Sequence, residues 1–220
     1  NSIDALVRVA QKRVDADAKR DQARVEQDSR QEQRQVKQDA NITKQRADAD
    51  AQRVAARAKQ DAKGYRTDAE RQAVLTYRAA VDAALRTRRA AVDVAINAFR
   101  SSHEAALRTR QTSVTAAITA RRTAIDQAAA TWKTRCAGTA EERQAANKAF
   151  RVSIETARTN AHTAIEAART NYRTTMKTAT QTRRTAEQNA KKTYEQSVKT
   201  AREALKQVQV RVGASVSISL

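Results

Sequence analysis

Proline is absent from this 220-residue chain, glycine occurs three times and cysteine once. The missing proline removes the main interior breaker of an α-helix. Three glycines leave few positions where the backbone can enter left-handed conformations without strain. A single thiol, Cys136, excludes an internal disulfide. Aromatic residues make up only 3% of the chain, too few for a conventional core or a base-stacking platform. No apolar run approaches the ~20 residues that span a bilayer. The two histidines, His103 and His162, have no cysteine or carboxylate at a recognised metal-ligand spacing. Neither a glycine-rich phosphate loop nor a zinc-finger spacing occurs. No nucleophile, acid–base pair or cofactor cradle emerges, so no catalytic, cofactor or metal site is assigned and no enzyme activity is expected.

What is present favours helix. Alanine, arginine, glutamine, lysine and glutamate, all good helix formers, dominate the composition. The hydrophobic fraction of 40% is inflated by alanine, which packs helices closely but buries little area per residue. The expectation is an all-α chain with thin helix–helix seams in place of a thick core.

A period of eleven organises these helices. From Val14 the chain divides into units such as VDADAKRDQAR, VEQDSRQEQRQ and VKQDANITKQR, and continues through AVDAALRTRRA and AVDVAINAFRS. Val81, Val92, His103, Val114, Ile125 and Cys136 follow one another in a row, beside Leu85, Ile96, Leu107, Ile118 and Ala129. In a second array Ile154, Ile165, Met176 and Val198 share a row that Glu187 interrupts. Ala157, Ala168, Ala179, Ala190 and Ala201 run alongside. Eleven residues close three turns at about 3.67 per turn, so apolar lanes run nearly straight along the helix. His103 sits in such a lane as a packed or pH-sensitive seam residue.

Between the arrays lies TRCAGTAEER, residues 134–143. Gly138 suits the left-handed position after a helix end, and Thr139 with Glu142 reads as a capping box. This predicts a turn at 138–139 between antiparallel helices over 67–137 and 140–207, each ~100 Å long. Gly64 poses a choice. Thr67 and Glu70 could open a new helix after it, giving a three-helix bundle. However, Val14, Val25, Val36, Ala47, Ala58 and Ala69 keep their spacing through Gly64, and an isolated helix glycine costs only about 1 kcal/mol. The favoured expectation is that the charged segment 1–66 continues into 67–137 and overhangs the hairpin. Its meagre stripe would then need partners, most readily other copies of the chain.

After residue 207 the period changes to two. Val208, Val210, Val212, Val216, Ile218 and Leu220 fall on one face, which reads as an amphipathic strand over 208–220. Residues 3–9 show a fainter alternation that suits a helical start equally well. A lone strand has unpaired backbone groups, so addition to a strand of another subunit is expected.

Lysine and arginine total 43 against 24 acidic residues, for a net charge of +19. Charge is also periodic: Asp82, Asp93, Glu104 and Asp126 share one row, and Arg78, Arg89, Arg100, Arg122 and Lys133 another. These rows are expected to set register between neighbouring molecules. The basic excess also suits a polyanion or nucleic acid, although the acidic rows oppose a continuous track.

The segments RTRRAAVDVAINAF, ARRTAIDQAAATWKTRC and AFRVSIETARTNAHTAIEAARTNYRTT resemble Ala/Thr/Arg-rich secreted proteins of candidate-phylum bacteria. The likeness is compositional, covers about residues 80–180 and implies bacterial export or surface display, with no activity or site residues attached. The chain begins Asn-Ser-Ile without methionine, and removal of a secretory signal is the expectation. Together these readings point to a homopolymeric, head-to-tail filament at the cell surface or outside it, with a basic polyanion-binding protein as the alternative.

Overall fold

A computed structural model describes residues 2–61, 63–65 and 67–218, together with most of their side chains. The side chains of 2, 3, 29, 31–33, 35, 36, 39, 40, 43 and 212–218 lie outside that description. The fold is all-α, with α1 at Ser2–Asp61, α2 at Asp68–Arg135 and α3 at Ala140–Ile218. Acidic residues open α2 (Asp68, Glu70) and α3 (Glu141, Glu142), and basic residues close α1 (Lys59) and α2 (Lys133, Arg135). This polarity suits the helix dipole.

The helix does not continue through Gly64. That glycine adopts φ +73°, a left-handed conformation that favours residues without a Cβ. The Thr67 hydroxyl accepts the Glu70 N–H at 3.1 Å and so caps α2. The expectation of one long first helix with an overhang is therefore corrected. Even spacing proved a poor guide here, because the row buries Val14, half-buries Val25 and exposes Ala47, Ala58 and Ala69. Burial of α1 against the other helices outweighs the small cost of interrupting the helix at a glycine.

The other turn opens α3 with a reciprocal cap. The Thr139 N–H donates to Glu142 Oε2 at 2.7 Å, and the Glu142 N–H donates to the Thr139 hydroxyl at 3.2 Å. Gly138 is not left-handed, contrary to expectation, since Gly64 has the positive φ among the described residues. Its role is space: a Cβ at 138 would lie 1.8 Å from Glu142 Oε2, blocking the returning carboxylate.

Residues 208–218 extend α3, so the expected strand is corrected as well, and Leu220 lies outside the described residues. Without a neighbouring strand, an extended segment leaves its donors and acceptors unmade, whereas a helix satisfies them within itself. The start of the chain is helical too, from Ser2 onward.

Contacts group the chain into two units, residues 1–34 with 102–177 and residues 35–101 with 178–220. In the first unit Ala10 and Val14 of α1 pack with Ile125 of α2, while Val7, Ile118 and Ile154 close around them. Phe150 packs on Ala128, flanked by Trp132 and Ile154. Val14 and Ile125 are each only 1% exposed, so the α1 stripe finds cover inside its own chain here. Contacts between α2 and α3 run in opposite chain directions: Trp132 Nε1 donates to Asn147 Oδ1 at 2.8 Å, while Tyr172 meets His103. In the second unit Val74, Ala95, Ile96 and Ala190 are buried.

Candidate functional site

The rows of apolar residues face inward. Ile96, Val114 and Ile125 are buried, whereas Val81, Leu85, Val92, Leu107, Ile118, Ile154, Ile165, Met176 and Val198 are half-buried. Val54, Val94 and Val152, off these rows, are exposed, whereas Ala95, Ala106, Ala117 and Ala128 form a further buried row at the same spacing. At the C-terminal end Val208 is half-buried and Val210 exposed.

The charged rows are matched by α1 of the same chain. In the second unit Nη1 and Nη2 of Arg57 each lie 2.7 Å from one of the two Asp82 carboxylate oxygens. Eleven residues away on each helix, Arg46 pairs with Asp93 at 2.7 Å. A companion series reverses the signs. Arg78 binds Asp61 at 2.8 Å, and eleven residues on Arg89 binds Asp50 at 2.5 and 2.8 Å. Within the first unit Asp17 meets Arg121 at 2.7 Å, Asp15 meets Arg122 at 2.6 Å, and Asp28 meets Arg110. Gln11 donates to Asp126 at 3.1 Å. The rows expected to contact other molecules thus supply the register between α1 and α2. Along α2 itself Glu104 pairs with Arg108 at 3.6 Å, whereas Asp82 turns to Arg57 and Arg53 of α1.

These contacts shift ionisation where they are closest. The Arg89 hydrogen bond holds the Asp50 carboxyl below its ordinary value, and the Arg57 hydrogen bond does the same for Asp82. Asp61 is lowered by its Tyr65 hydroxyl donor and then by Arg78, and the same bond raises the Tyr65 phenol.

Sequence reasoning missed the chemistry of the α2–α3 seam. Arg88 lies 5.4 Å from the Tyr194 ring centre and Arg183 lies 5.5 Å from that of Phe99, both in the second unit. In the first, Arg110 sits 5.3 Å from the Tyr172 ring. Residues 88, 99 and 110 are spaced by eleven, as are 172, 183 and 194, so an aromatic standing opposite an arginine at the shared period was the available signal. Each such cation–π contact is worth about 0.5–1 kcal/mol at an exposed site.

An apolar groove of about 810 Å³ opens in the second unit between Ala69–Ala80 and Gln196–Val208. Ala73, Tyr77, Ala80, Ala201, Leu205 and Val208 contribute to its walls, with no α1 residue among them. No group of three or more His, Cys, Asp or Glu residues that could hold a metal occurs among the described residues, and no described helix is long and apolar enough to cross a membrane. No family model, curated protein or solved structure matches the chain.

Proposed function

We propose that the chain is a structural, non-enzymatic subunit that assembles with copies of itself into a filament at the cell surface or outside the cell. Lanes at eleven-residue spacing, along an antiparallel pairing of α2 and α3, supply its packing surfaces. The observation that carries this reading is the groove of the second unit, lined by Tyr77, Leu205 and Val208, whose walls among the described residues come from α2 and α3 alone. Its small-residue floor accepts the close approach of another alanine-rich helical face, which every helix of this chain offers. Assembly through helical faces replaces the strand addition anticipated from the alternation of 208–220.

Like-charged copies repel at +19, so association should strengthen as salt screens them. Sedimentation and electron microscopy of the purified chain across a salt series test this. Filaments that grow with salt and vanish in Leu205→Lys support assembly. A single monomeric species at high protein concentration and every salt level refutes it.

A second reading, polyanion binding, gains from the ion pairs. The acidic residues Asp82 and Asp93 are matched by α1 arginines, while Arg151, Arg173, Lys177, Arg184 and Lys199 of α3 are exposed. Complexes formed only with added DNA, and dissolved by salt, would favour this alternative.

A further inference from the structure

Within the first unit, side chains from all three helices surround a cavity of about 460 Å³. Arg24 comes from α1, Arg110 from α2, and Arg169 and Arg173 from α3; Gln27, Tyr172 and one carboxylate, Asp28, complete the lining. Four guanidinium groups and one carboxylate thus line the cavity, with Asp21 and Glu166 pairing to Arg24 and Arg169 from outside the lining. We propose that this cavity is a binding site for a phosphoryl group, held by converging arginine forks.

The buried member is the strongest indication. Arg110 is 6% exposed, paired with Asp28 through Nη1 and stacked near Tyr172. Its buried Nε meets no acceptor among the described residues. A buried guanidinium donor without an acceptor carries a desolvation penalty that a bound oxyanion would relieve. Asp21, itself only 7% exposed, holds two of the arginines. It accepts from Arg169 at 2.5 Å and from Arg24 at 3.5 Å, and Glu166 also binds Arg169. Arg173 has no ion-pair partner among the described residues, so its charge is available at the mouth.

The ligand class follows from this geometry. Planar guanidinium forks match the oxygens of a tetrahedral oxyanion, and several donors suit a group of two or more negative charges. The volume admits more than a single phosphate, which makes pyrophosphate the natural probe. The site stands apart from self-assembly, because none of its residues lines the groove of the second unit.

The test is isothermal titration of the full chain with inorganic pyrophosphate at constant ionic strength, comparing wild type with Arg173→Gln and Arg151→Gln. Both arginines are exposed on α3, so neither change threatens folding, and only the first lines the cavity. Saturable one-site binding, weakened about tenfold by Arg173→Gln and unchanged by Arg151→Gln, is expected. A short polyphosphate that displaces pyrophosphate would identify a phosphorylated polymer as a ligand source; binding of pyrophosphate that polyphosphate leaves undisturbed would identify the small anion. Absence of saturable binding, or equal weakening by both substitutions, would overturn the site in favour of diffuse charge attraction.

Discussion

Arg57 and Asp82 meet as a bidentate pair, with 2.7 Å contacts from Nη1 and Nη2, and eleven residues away on each helix Arg46 meets Asp93. A one-residue slip of α1 along α2 would unmake both pairs at once. Exchanging the charges tests this. Arg57→Asp and Asp82→Arg should each destabilise the chain, and the double exchange should recover about 1 kcal/mol of the loss. Urea unfolding of the four proteins measures that coupling.

Acid should loosen the α1–α2 seam of the second unit first. Asp50 and Asp82 have folded-state values below the ordinary 3.8, so the folded chain holds fewer protons than the unfolded chain in that range. Their contribution is complete above the ordinary value and is lost as pH falls through the lowered one. Amide protection at residues 44–57, taken relative to the intrinsic exchange rate at each pH, should fall below about pH 4 ahead of protection in α3, and added salt should mimic part of the effect. Uniform loss of protection across the three helices would contradict this account.

The two turn glycines should respond to alanine for different reasons. Gly64→Ala strains a backbone at φ +73° and should cost about 1–2 kcal/mol. Gly138→Ala displaces the Glu142 carboxylate from the Thr139 N–H and should cost about 1 kcal/mol, the size of a cap. In a Glu142→Ala background the second substitution should become nearly neutral, because the obstructing side chain is gone. The Gly64 penalty should persist there. Thermal unfolding of the singles and doubles distinguishes the two mechanisms.

Phe99 and Arg183 offer a swap of roles. Phe99→Arg places two guanidinium groups together where Arg183 now lies 5.5 Å from the ring centre. The combined Phe99→Arg, Arg183→Phe chain restores a cation against a ring, as Arg88 and Tyr194 already have one helical repeat away. The double variant should be more stable than Phe99→Arg alone by about 1 kcal/mol.

Ile125 provides the core measurement. It is 1% exposed and packs with Ala10 and Val14 of α1, so Ile125→Ala should cost about 2–5 kcal/mol. Val94→Ala, at a residue 68% exposed, should change stability by less than about 0.5 kcal/mol. Equal effects at the two positions would mean that α1 does not pack on this row.

Several features of the fold are legible in the residues alone. The capping pair Thr139 and Glu142 was legible because its bonds are local, three residues apart. Rows such as Val92, Val114 and Ile125 were legible because helical geometry alone places them on one side. The partners of Asp82 and Asp93 were not, since a periodic charge row looks the same whether its complement belongs to this chain or another. The cavity around Arg110 was equally hidden, as its four arginines are scattered over some 150 positions and only helix packing gathers them.

By itself the amino-acid sequence determined that the chain is helical, because no proline interrupts it and strong helix formers fill it. It also determined the eleven-residue lanes, which follow from the pitch of the helix. Tertiary structure decided where α1 stops, what its acidic residues bind, and that residues 208–218 prolong α3. Each of those outcomes turned on local differences of about 1 kcal/mol, which contacts between distant segments readily exceed.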